Sequence, residues 1–135
     1  MNIEDLPDYA ISIRQPWASA AVCAGSIDFV IPKPPNIYGS VCIHAAAKRQ
    51  TRKDISDVAD EFYGRISPLQ MIEISFGPIY GAIIATADYD TDLVHNNISP
   101  YLVTRLTNIQ TVNSIAVRGS AGFFKWKKRI RNDKS

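Results

Sequence analysis

The stretch SIRQPWA at residues 12–18 sets a guanidinium, Arg14, and a carboxamide, Gln15, between a short apolar segment and a proline followed by an indole, Trp17. Arginine offers a planar fork of donors that grips a phosphate or a base edge at two points, and a glutamine amide carries one donor side and one acceptor, enough to read an edge of a base. Trp17 could stack a base, an interaction worth about 1–3 kcal/mol. At helical spacing with Ala20 and Ala21, an indole is more often a core residue. Further along, His44 ends an apolar run, where an imidazole is either a hydrogen-bonded core group or, titrating near neutrality, a base or phosphate contact. Arg118 precedes Gly119, a residue that permits a tight turn or a close backbone approach, so the pair reads as the rim of a cleft or as a surface arginine paired with a carboxylate. Lys48, Lys125 and Lys127 would be outer phosphate contacts. Asp88 and Asp90, in the run DYDTD, carry carboxylates able to act as acid or base groups, although such a run is more often a solvated turn.

Several elements must position these groups. Tyr9–Ile13 reads as a short apolar strand, and Pro16 suits the first position of a helix, whose apolar face is Trp17, Ala20, Ala21 and Ala24 and whose end is Gly25. The three prolines of FVIPKPPNIYG keep that segment out of a central strand, leaving a loop or an edge. Residues 40–46, SVCIHAA, read as a strand covered on both sides. From Thr51 to Tyr63 a helix is expected, with the stripe Ile55, Val58, Ala59 and Phe62 and a capping box of Thr51 with Asp54. Ser67-Pro68 with Gln70 opens a second brief helix, and IYGAIIATADY is a strand. YLVTRLTNIQTV fits both periodicities. IAVRGSAGFFKW looks hairpin-like, two strands joined by a glycine-spaced turn.

The chain has 135 residues, 46% of them hydrophobic, and a formal net charge of +2. That length suits a single domain, and the apolar fraction suffices for one continuous core. No apolar run reaches the roughly 20 residues of a membrane span, and the acidic start lacks the features of a secretory signal, so a soluble, cytoplasmic protein is expected. Cys23 and Cys42 have no ligand-like companions; neither a disulfide nor a metal or cofactor site is expected. The net charge is too mild to prove a polyanion partner. Its distribution is more informative, because basic residues gather at 48–53 and in a C-terminal tail at 127–135, while acids gather in DVADE and DYDTD.

The order SIRQPWA, a helix ending in glycine, GSVCIHA, IYGAIIATADY and VRGSAGFFKW resembles the ASCH domains of the PUA-like superfamily, from about Tyr9 to Trp126. The resemblance implies an α+β fold, a small mixed β-barrel of five or six strands with flanking helices. It also implies a cleft near the first helix that takes RNA or a nucleotide-like ligand, and it tips YLVTRLTNIQ toward strand. The departure is in the motif G-x-K-x-x-E-x-R that such domains often carry after that helix. Here Gly25 survives, but Ile27, Val30 and Pro32 stand at the lysine, acid and arginine positions. Some relatives hydrolyse acetylated cytidine with lysine, threonine and an acid; Ile27 and Val30 have no group for such chemistry. Lys33 or Asp28, each one position displaced, could return charge to the cleft. The expectation is an RNA- or modified-nucleotide-binding module with Arg14, Gln15, Trp17, His44, Lys48, Arg118 and Gly119 around the ligand. The alternatives are a hydrolase, a ribonuclease or a nucleoside amidase, built on His44 or Asp88, and a degenerate domain kept for protein interaction.

Overall fold

Local capping chemistry decides where the helices start, and apolar β-branched runs decide the strands. The computed structural model describes residues 3–31, 39–93 and 102–132. After a 3-10 turn at Ile3–Asp5 come β1 (Tyr9–Ile13), α1 (Trp17–Ala24), β2 (Ile27–Ile31), β3 (Gly39–Ala45), α2 (Arg52–Glu61), α3 (Pro68–Ser75), β4 (Ala82–Leu93), β5 (Leu102–Ala116), β6 (Phe123–Lys125) and α4 (Lys127–Asn132). Both α2 and α3 begin with reciprocal capping boxes, Thr51 with Asp54 and Ser67 with Gln70, which satisfy backbone amides that a helix start leaves open. Pro16 sits at the N-cap of α1, one place before the first-turn position expected of it. The same helix closes on Gly25 at φ 86°, a left-handed conformation that glycine adopts without a Cβ penalty.

The six strands form one curled, half-barrel sheet in the order β2-β5-β4-β3-β1-β6, so the fold is mixed α+β. β1 and β3 run parallel; every other pairing is antiparallel. Among the described residues the edge strands β2 and β6 do not pair with each other, and the sheet stays open on that side. β3 lies near its centre, and Val41 to Ala45 are all buried, as the unbroken apolar run required. The ambiguous segment is strand: β5 is the longest element and joins β4 to β2.

Alternation along β1 and β3 divides the core in two. Ile11, Val41, Ile43 and Ala45 face one side, against Ala18, Ala20 and Ala21 of α1, Val58 of α2 and, just past its end, Phe62. Small alanines let α1 approach the sheet closely. Ala10 and Cys42 face the other side with Leu6, Val117, Phe124 and Trp126. Cys42 is fully buried, and burial pushes its thiol up to about 12, so it stays protonated and inert.

Two sequence expectations are corrected, and the start of the basic tail is placed. The hairpin at residues 115–126 does not form: β6 pairs with the free edge of β1 and not with β5, Phe124 lying opposite Ala10. The C-terminal basic segment is helical and docked as far as Asn132: Trp126 is buried with its indole N–H donated to the Pro7 carbonyl at 2.8 Å, and α4 follows with Ile130 against the same cluster. DYDTD is not a turn; Asp88 and Asp90 belong to β4, both exposed.

Candidate functional site

Because β1 and β3 are parallel neighbours, their C-terminal ends lie side by side, and the chain turns there into α1. Arg14 stands at this corner. Its guanidinium donates to Asp54 Oδ2 at 3.0 Å, and that same oxygen accepts the Thr51 amide at 2.9 Å within the α2 capping box. The Thr51 amide bond, first of all, holds the Asp54 carboxyl below the usual carboxylate range, with Arg14 adding to it. Arg14 is thereby oriented by the start of α2 while its side chain remains 47% exposed.

Two recesses meet at Arg14, sharing Ser12, Arg14 and Gly122. The first, about 670 Å³, has Trp17, Phe29 and Phe123 as aromatic walls, an aliphatic floor that includes Ile27, and the carboxylates of Asp28 and Glu61 in its lining. Trp17 is half-buried: its indole N–H donates to Glu61 Oε2 at 2.6 Å, and the Arg14 guanidinium lies 5.9 Å from its ring centre. It therefore packs on the core and lines the recess at once. Asp28 contributes a carboxylate to the lining of this recess, paired with Arg105 at 2.9 Å. Lys33 and Pro32 lie outside the described residues, as does His95.

The second recess, about 710 Å³, is lined by Arg14, His44, Arg118, Gly119 and Ser120 among others and has no carboxylate in its lining among the described residues. Its wall is the loop between β5 and β6, held from behind by Arg129 of α4, which donates to the Arg118 carbonyl at 2.7 Å and to Ser120 Oγ at 2.6 Å. Arg118 is exposed and makes no ion pair with any described residue. A cation–carboxylate pairing, the plain alternative for Arg118, is thus not what positions it.

His44 is buried beneath this wall. Its Nε2 lies 2.8 Å from the Val117 carbonyl, which can only accept, so Nε2 carries the proton; Nδ1 then presents a lone pair to Ser12 Oγ at 3.0 Å. The ring stands edge-on to Phe124, with centroids 5.4 Å apart. Burial lowers the pKa of His44 below its ordinary value, and it is neutral at pH 7. Gly119 passes so close that a Cβ there would lie 2.3 Å from His44 Cε1, which explains the glycine by close approach rather than by turn geometry.

Gln15 corrects the sequence reading. It is 1% exposed and does not face the recess with Arg14. Its Oε1 accepts the Ser19 amide at 3.0 Å, capping α1 where Pro16 has no side chain to do so, and its Nε2 donates to the Ile79 carbonyl at 2.8 Å. Its role is to fix the corner that presents Arg14. Lys48 is exposed near Asp54 but lines neither recess. Lys127 is tied to Asp8 at 2.9 Å, and Lys125 lies 5.6 Å from the centre of the Tyr9 ring; both are outside the recesses, as are Asp88 and Asp90. Sequence reasoning missed Ser12, Phe29, Glu61 and Phe123, whose neighbours in the chain give no sign that their side chains meet at one recess.

No protein-family model matches this chain, and a search of curated proteins finds no significant match.

Proposed function

We propose that this chain is an ASCH-type, PUA-like module that binds a nucleotide unit, free or within single-stranded RNA, at the corner between β1 and α1. The observation that carries the reading is the junction of two unlike recesses across Arg14: one aromatic-walled with carboxylate acceptors, the other cationic, with no carboxylate among its described lining residues. A base fits the first by stacking and by donating its exocyclic hydrogens to Asp28 or Glu61. A phosphate fits the second, where the Arg14 and Arg118 guanidinium groups offer forked donors. Ile27 on the floor of the first recess puts hydrocarbon where relatives of the proposed family carry lysine, which argues for binding over their amide hydrolysis.

Calorimetric titration with nucleoside monophosphates, the matching nucleosides and a short single-stranded RNA tests this. Nucleoside monophosphates should bind more tightly than nucleosides, and Arg14→Gln should erase about ten- to a hundredfold of that advantage, the worth of one charge-assisted hydrogen bond. For the RNA, affinity should fall with salt by about 0.7 logarithmic units per phosphate neutralised. Equal binding of nucleoside and monophosphate, or no binding of any of the three, would refute the reading.

A further inference from the structure

We propose that Ser12 is a nucleophile, with His44 as its general base, for acyl transfer from small carboxylic esters. The inference stands on geometry separate from nucleotide binding. Ser12 and His44 are register partners on the parallel strands β1 and β3, so their side chains leave the sheet on the same face. The β3–β4 register shifts between Ile43 and His44, with Ile84 the extra residue on β4, so the ladder is interrupted beside His44. Hydrogen-bonding roles are forced: the Val117 carbonyl fixes the proton on Nε2, leaving the Nδ1 lone pair 3.0 Å from the Ser12 hydroxyl. A nucleophile, a base and a third group orienting the base is the arrangement that activates a serine. Ser12 is half-buried and lines both recesses, and the buried His44 borders the second, so the reacting oxygen is reachable from the recess that its base adjoins.

The step balances without an added reagent. Ser12 Oγ attacks the ester carbonyl carbon while its proton passes to His44 Nδ1; the imidazolium keeps its Nε2–H on the Val117 carbonyl. The tetrahedral intermediate collapses by breaking the bond to the alcohol oxygen, which takes the proton from Nδ1 and leaves as the free alcohol. Water then attacks the acyl-serine with His44 again as base, releasing the carboxylic acid and restoring Ser12. Negative charge developing on the carbonyl oxygen has Arg14 beside it and the loop from Arg118 to Gly122, whose amides have no backbone acceptor among the described residues. A low basicity in His44 aids the return of the proton to the leaving alcohol. The aliphatic and aromatic lining of the first recess suits an apolar acyl or alcohol part.

Treatment of the whole chain with a fluorophosphonate ester, followed by intact mass and peptide mapping, tests the proposal alongside release of p-nitrophenol from p-nitrophenyl acetate. One phosphonyl group should appear on Ser12, about a hundredfold faster than on the exposed Ser40 and Ser56, with fluoride as the leaving group. The labelling rate should hold constant at neutral pH and fall in acid as Nδ1 takes a proton. Ser12→Ala should abolish both reactions while keeping the wild-type circular dichroism spectrum; neither readout involves a nucleotide, which separates this claim from the binding one. His44→Gln, if it keeps the wild-type spectrum, should likewise lose labelling. Absence of a Ser12 adduct, an adduct formed no faster than at Ser40, or a rate without the acid limb would overturn it.

Discussion

Gly119→Ala is a substitution whose sign separates two physical accounts of that glycine. Its φ is not positive, so alanine is conformationally allowed, and on backbone entropy alone the change should stabilise by about 0.4–1 kcal/mol through the unfolded chain. The added Cβ would instead meet His44 Cε1 at 2.3 Å, His44 Nδ1 at 2.7 Å and Ser12 Oγ at 2.9 Å. An ordinary carbon–carbon contact is about 3.5 Å or more, so something must retreat by more than about 1 Å. The imidazole cannot, because it is buried, anchored at Nε2 by Val117 and blocked by Phe124. The loop must move, and overpacking of this kind costs about 1–3 kcal/mol. Loss of the Ser12–His44 hydrogen bond adds roughly 1 kcal/mol. Set against the entropy gain, the net expectation is a destabilisation of about 2 kcal/mol, read as a lower urea midpoint with an unchanged m value. A variant as stable as the parent, or more so, would refute the close approach of Gly119 to the Ser12–His44 pair.

Other outcomes follow from the same contacts. His44 has a folded-state pKa below the 6.5 of the free group, so the unfolded chain binds the extra proton first. Stability from this residue is therefore complete above about pH 6.5 and is lost as pH falls from there toward the lowered folded value; urea midpoints measured from pH 7.5 to 5 check this, and a flat profile contradicts it. Gln15→Leu should cost about 1–3 kcal/mol, since it strands the Ser19 amide at the start of α1 and the Ile79 carbonyl, and a neutral result in chemical denaturation would contradict the corner-fixing role. Trp126→Ala removes a fully buried indole and its bond to Pro7, for a loss of about 3–5 kcal/mol in the same assay; a cost under 1 kcal/mol would mean that α4 is not docked as described.

What could be read from the residues and what could not divide along physical lines. Both capping boxes and the Gly25 stop are local chemistry, and Thr51-Asp54, Ser67-Gln70 and Gly25 each do what their spacing implied. β3 was legible because burial on both faces leaves an unbroken apolar run. β5 was not, since Leu102, Val103 and Leu106 satisfy a helix as well as a strand; long-range pairing with β2 and β4 settles it. Strand partnership is likewise non-local, which is why the 115–126 segment mimicked a hairpin although β6 belongs to β1. Arg14 lines the cleft as its place at a strand end implied, but its neighbour Gln15 turns inward, because the N-cap proline has no side chain to hold the Ser19 amide. The Ser12–His44 contact depends on the β1–β3 register, and nothing within either segment encodes that.

The most direct measurement of the central claim is an amide and indole NMR titration of the isotope-labelled chain with cytidine monophosphate and with a short single-stranded RNA. The account predicts saturable shifts concentrated at Ser12, Arg14, the Trp17 indole, Phe123 and the loop from Arg118 to Gly122. Shifts confined to the basic stretches around Lys48 and in α4, or no shifts at the β1–α1 corner, would contradict it.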